Sequence, residues 1–336
     1  MLAATAAKSI RRPRRPLTPW ELPQLLTPMH QHKATKKKKA VERPHYVQLL
    51  TFVYRNRFAV ANQIQRRFAA LLRSDRTTRR QLEELQSLGY LATAPARGVS
   101  PLFPKIFFVT GRGVRKIAEA YATKGKPWSP SRIDRAGRHT AEGYSAEHLI
   151  HEVFITEFLL GVWKSGNDRK DIEVLTIQRR SLFKHPAFGS KAKGRLTPDA
   201  LFVFRQDGGL MIGLVELDTG TMNGKQLARK FRRYQEWSQS AAGRDYLTNL
   251  YRRHGAKEPR PVFRLYVVAQ DRDRSDDRRR LTTIAKAVGI ACPALADRVR
   301  LTTVTELQAN YDQAVLVAPI WHRINESLGK MRPLPG

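Results

Sequence analysis

The stretch Leu196-Thr-Pro-Asp199-Ala-Leu-Phe-Val-Phe204, followed after Gln-Asp-Gly-Gly by Leu210-Met-Ile-Gly-Leu-Val-Glu216-Leu-Asp218-Thr-Gly-Thr221, decides how this chain folds. Two apolar runs joined by a glycine turn read as a β-hairpin, with Asp199 opening one strand and Glu216 and Asp218 closing the other. Antiparallel pairing brings those ends together. Residues two apart on a strand leave the same face, so the three carboxylates are expected to converge. Such a cluster repels itself unless a cation neutralises it, and hard oxygen donors suit Mg²⁺ or Mn²⁺.

The rest of the composition says what such a site would act on. The chain has 336 residues, enough for two domains with real cores, and 61 Lys and Arg against 29 Asp and Glu give a formal net charge of +32. That excess points to a polyanion, with double-stranded DNA the first choice and its phosphodiester the natural partner of a carboxylate-bound metal. A membrane surface is the weaker alternative, because no apolar run approaches the roughly 20 residues that span a bilayer and no secretory signal is apparent. A soluble cytoplasmic protein is expected. The lone Cys292 excludes an intrachain disulfide and any cysteine-rich zinc module.

Five segments follow from the patterning. Residues 1–43, with Arg11, Arg12, Arg14, Arg15 and the run Lys36–Lys39, form a basic arm that cannot bury enough apolar surface to order itself. Residues 44–122 read as helices over Tyr46–Tyr54, Val60–Leu72 and Ser74–Leu88, then short strands at Tyr90–Thr93 and Lys105–Thr110. Three helices and a hairpin make a winged helix-turn-helix. Its third helix is the one to enter a DNA groove, with Arg76, Thr77, Arg79 and Arg80 in its first turns and Arg97 in the wing. The alternative is a protein-docking module with arginines as ordinary surface residues. Residues 123–143 read as a linker, 144–305 as a second folded unit and 306–336 as a C-terminal helical extension.

The second unit reads as a helix from Ser145 to Lys164, strands at Ile172–Ile177, Ala200–Phe204 and Met211–Leu217, a helix Lys225–Ser238, a strand Arg264–Ala269, a helix Asp276–Val288 and a strand Val299–Thr303. That αβββαβ order, with Pro198-Asp199 on one strand and Glu216-x-Asp218 on the next, resembles the PD-(D/E)XK restriction-endonuclease-like fold, a mixed sheet flanked by helices in the α/β class. More narrowly, the N-terminal winged helix, the helix containing His148, Thr-Pro-Asp199-Ala, Val215-Glu216-Leu-Asp218-Thr-Gly-Thr221, and Lys230 with Tyr234 look like the replication-relaxation family. The resemblance spans about Pro44 to Val304. It implies a DNA-binding protein of plasmids or mobile elements, acting in replication, relaxation or mobilisation beside a relaxase or replication protein.

Asp218 departs from the pattern the resemblance implies, since that position is usually a lysine that orients the attacking water. Similar proteins supply the lysine from the following helix, and Lys230, spaced with Gln226 and Tyr234 along one helical face, is the expected substitute. Asp199 and Glu216 would hold the metal, with Glu147 completing its shell as the helix acid does in similar nucleases, or standing as an ordinary exposed acid. Asp218 would bind a second ion or pair with Lys230 or an arginine. His148, Thr221 and Tyr234 would support the site from behind.

His148-Leu-Ile-His151-Glu152 matches neither zinc-protease signature, so those histidines read as support or interior residues. No GxxxxGK[ST] loop is present, which argues against a nucleotide cofactor. Three readings stay open: a metal-dependent DNA endonuclease, a non-catalytic DNA-binding recruiter or transcriptional regulator on a degenerate nuclease fold, and a basic protein that coats nucleic acid. A palindromic target would go with a homodimer.

Overall fold

The computed structural model describes residues 42–94, 103–125, 144–179, 196–257, 262–270, 277–310, 315, 316, 318 and 320–324. The basic arm except for its last two residues, Arg97, and the linker from 126 lie outside the described residues. The protein is mixed α/β, built on a six-stranded mixed sheet with a small three-stranded antiparallel sheet beside it.

The hairpin forms where the sequence put it. Strands β5 (Ala200–Gln206) and β6 (Gly209–Asp218) pair antiparallel from Ala200 opposite Val215 to Gln206 opposite Gly209. The two loop residues, Asp207 and Gly208, both have positive φ (49° and 79°), as a two-residue turn requires to match the twist of its strands. On one side β4 (Ile172–Arg179) pairs antiparallel with β5. On the other, β7 (Arg264–Ala269) and β8 (Val299–Thr303) run parallel to β6, and the two-residue β9 (His322–Arg323) closes the sheet antiparallel to β8. Helices cover both faces. Helix α6 (Gly224–Gln239) sends Leu227, Phe231, Tyr234 and Trp237 onto one face, together with α7 (Ala241–Arg253) and α8 (Asp277–Ala291). The opposite face packs on α5 (Ala146–Asp168) and α9 (Val304–Ala309).

Before α5, residues 46–122 hold α1 (Tyr46–Asn56), β1 (Ala59–Val60), α2 (Ala61–Arg67), α3 (Asp75–Ser87), β2 (Leu91–Thr93), β3 (Ile106–Val109) and α4 (Gly111–Ala122). Ser74 caps α3 by accepting a hydrogen bond from the Thr77 backbone N–H, and Gly89, at φ 71°, ends it. The three-stranded sheet has the order β1-β3-β2, so β1 joins an expected hairpin as a third strand.

This unit is welded to the larger sheet through α5. Phe58, Val60, Ile106 and Phe108 pack with Leu149 and Val153, the Thr156 hydroxyl donates to the Phe58 carbonyl at 3.1 Å, and Gln63 donates to the Val153 carbonyl at 2.9 Å.

Three departures from expectation have physical reasons. The second helix stops at Arg67 instead of Leu72, because Phe68 leaves helical geometry (ψ 38°) and the chain turns through Leu71. Helix α7 lies in the stretch between Ser238 and Arg264 that the sequence reading leaves unassigned, and it contains Gly243. The glycine is required by packing, since a Cβ there would lie 1.9 Å from the Trp237 carbonyl oxygen. Within the helical extension expected over 306–336, Glu306–Ala309 are helical as the end of α9, the two-residue β9 is too short to carry a strand pattern, and 325–336 lie outside the described residues.

Candidate functional site

The site grows from the rim where β5 begins and β6 ends. Asp199 precedes β5, its N–H donating to the Val215 carbonyl at 2.9 Å, which sets it beside Glu216 on the neighbouring strand. Its Oδ2 accepts from the Leu217 backbone N–H at 3.0 Å and lies 3.2 Å from Nε2 of His151, which reaches over from α5. Glu216 is 2 % exposed; Tyr234 donates its hydroxyl to Oε1, and the Lys230 Nζ lies 2.5 Å from Oε2. Lys230 and Tyr234 share a face of α6 by their four-residue spacing. Gln226, expected on the same stripe, is exposed and spends its side chain on the α6 cap by accepting from the Asn223 N–H.

Asp218 leaves the same strand face but takes a different partner. Arg280, buried in the first turn of α8, grips it with Nε on Oδ2 and Nη2 on Oδ1, the latter at 2.9 Å. Of the partners considered from sequence, an arginine is the one observed, and Lys230 is committed to Glu216.

The electrostatics follow from burial and these pairings. Burial resists ionisation of Asp199, yet the His151 imidazole and the Lys230 ammonium outweigh it and hold the carboxyl well below the usual range. For Glu216 burial prevails, and with the nearby Asp199 charge it pushes the carboxyl up to about 7 against the pull of Lys230 and Tyr234. Burial would neutralise His151 and Lys230, but the surrounding carboxylates raise both above their ordinary values. The rim therefore carries its own counter-charges.

A second cluster braces α5 behind His151. Glu152 is 3 % exposed, with Arg179 Nη2 at 2.8 Å from Oε2 and Arg57 Nη1 at 3.5 Å from Oε1. The rings of Tyr144, His148 and His151 stack in sequence, their planes within 12° of parallel. His148 thus supports His151 and Glu152, and it is His151, one turn on, that reaches Asp199. Glu147 is exposed, one helical turn before His151, and Thr221 is exposed in the link between β6 and α6. Sequence reasoning gave His151 as a supporting or interior residue without naming Asp199 as its partner, and missed Arg179 and Arg280. The His148/His151 spacing was a usable signal for the first, and nothing local marks the two arginines.

The donor chemistry of Asp199 and Glu216 suits a hard divalent ion, but Glu147 does not join them. Among the described residues no group of three or more His, Cys, Asp or Glu is arranged to hold a metal ion. An ion bound by the pair would compete with the cations already there.

On α3, Arg76, Arg79 and Arg80 are exposed while Leu82 and Leu85 are buried, so the helix turns its arginines outward. Arg80 sits 3.9 Å from Glu84, and Thr77 is half-buried against Ser74. Among the described residues no helix is long and apolar enough to cross a membrane.

A family model described as Replication-relaxation matches residues 50–250. That span includes α3, His151, the carboxylate rim and α6, and stops short of Arg280. No curated protein and no solved structure matches the chain.

Proposed function

The chain belongs to the replication-relaxation family, and on that premise we propose that it binds duplex DNA of a plasmid or mobile element during replication, relaxation or mobilisation, with α3 as the groove-reading helix. The observation that carries this reading is the outward arginine face of α3 in a chain of net charge +32. The three helices, the β2–β3 hairpin and α4 are read as a winged helix-turn-helix, and residues 144–305 as a PD-(D/E)XK-like unit fixed to it through α5. A relaxase or replication protein acting on the same DNA is the partner this role calls for. The test is fluorescence anisotropy of the full chain on a duplex across a salt series. Arg76→Ala with Arg80→Ala is expected to weaken binding and lower the log–log salt slope by about 2, near 0.9 for each phosphate no longer neutralised. Unchanged affinity and slope would remove α3 from the interface.

A second reading, phosphodiester hydrolysis, is favoured by the meeting of Asp199, Glu216 and Lys230 at one rim. Asp199 and Glu216 would hold a divalent ion, which polarises the scissile phosphate and acidifies bound water. Lys230 offers the positive charge that Asp218, tied to Arg280, cannot. His151 and the Leu217 N–H orient Asp199, and Tyr234 orients Glu216. With Mg²⁺ or Mn²⁺, the wild type is expected to nick supercoiled plasmid, and Asp199→Asn and Glu216→Gln to lose at least about a hundredfold of that rate, the scale of removing a key electrostatic group. No metal-dependent nicking by the pure wild type would leave a DNA-bound recruiter whose carboxylate rim serves the fold alone.

A further inference from the structure

The inward and outward cations of α6 and α8 are sorted by partner. Lys230 and Arg280 turn inward and end on Glu216 and Asp218. Lys225, Arg229, Arg232 and Arg233 on α6, and Arg278 and Lys286 on α8, turn outward, are exposed, and form no ion pair among the described residues.

Helical geometry makes each set a stripe. Lys225, Arg229 and Arg232 recur at i, i+4 and i+7, opposite the buried Leu227, Phe231 and Tyr234; Arg278 and Lys286 are two turns apart on one side of α8. Each stripe runs about 12 Å along its helix at 1.5 Å per residue, long enough to meet several phosphates of one strand. The two helices pack against each other and on the same sheet face, so the stripes form one surface. Arg229 and Arg233 lie about 100° and 60° round α6 from Lys230, so the α6 stripe borders the lysine that reaches the carboxylate rim.

We infer that the outward faces of α6 and α8 are a second nucleic-acid surface, separate from α3, which holds the phosphate backbone alongside the Asp199–Glu216 rim. Fixed cations there, whose counter-ions come from solvent, release those ions when phosphates replace them, and that gain makes the interaction steeply salt-dependent and indifferent to sequence. Arginine-rich stripes two helices wide suit the repeating charge of a DNA strand. The inference rests on the chain binding DNA, but not on α3 doing so and not on cleavage.

The test is the duplex salt titration on the full chain with Arg229→Gln/Arg232→Gln/Arg233→Gln, compared with the charge-preserving Arg229→Lys/Arg232→Lys/Arg233→Lys. A third variant, Arg115→Gln/Lys124→Gln/Lys170→Gln, removes three exposed cations elsewhere. The first variant is expected to lower the salt slope by about 2 to 3, near 0.9 for each phosphate left without its cation, while the lysine variant keeps the wild-type slope and the third variant changes it by less than about 1. A thermal melt matching wild type establishes that the glutamine variant is folded. An unchanged slope, or an equal drop in the third variant, overturns the surface. Wild type failing to bind duplex at all overturns it together with the proposed function, whereas a weakening confined to the α3 variant overturns the surface alone.

Discussion

Asp218 and Glu216 leave the same face of one strand and meet different ends, and the difference is set by where in the chain their partners lie. Glu216 keeps a lysine and a tyrosine from α6, which follows its own strand, so helix and strand periodicity made that meeting legible beforehand. Asp218 is taken by Arg280, 62 residues later, and no local pattern announces such a pairing. The same holds for Asp199 and His151, 48 residues apart. Because Asp218 and Arg280 are both buried, removing one leaves the other as an uncompensated interior charge. Asp218→Ala is expected to cost about 3–5 kcal/mol, and Asp218→Leu with Arg280→Met to recover most of it, because an apolar pair needs no neutralisation. Urea unfolding of the three proteins decides this. A single-variant cost below about 1 kcal/mol would mean that water reaches the pair and screens it.

At the scale of elements, strong periodicity made most of the fold legible and weak signals hid the rest. The hairpin, α3 with its Ser74 cap, and α5 with its Ser145 cap follow from alternation, capping and glycine turns that act over a few residues. Strands β1 and β9 have two residues each and exist only because a neighbouring strand offers an edge. Helix α7 is unassigned in the sequence, and the missing side chain of its Gly243 accommodates the Trp237 carbonyl rather than a turn. The order of strands, antiparallel through β4-β5-β6 and parallel through β6-β7-β8, needs the helical connections after β6 and β7. A parallel neighbour requires such a crossover, so this part was readable from the alternation of helix and strand.

For the whole molecule, α5 is the member that makes two units act as one. Its apolar side chains serve the large sheet, its Leu149 and Val153 dock the smaller unit, and its His151 reaches the carboxylate rim. Bound DNA would therefore be held in fixed relation to that rim. The net charge of +32 was plain in the sequence, but which cations face outward required the fold. Arginine-selective chemical modification read by mass spectrometry, with and without saturating duplex, tests the central claim most directly. Arg76, Arg79 and Arg80 are expected to lose most of their reactivity on binding while the exposed Arg169, paired with Asp171 beyond the end of α5, is unaffected. Equal reactivity of the α3 arginines in free and DNA-bound protein would contradict it.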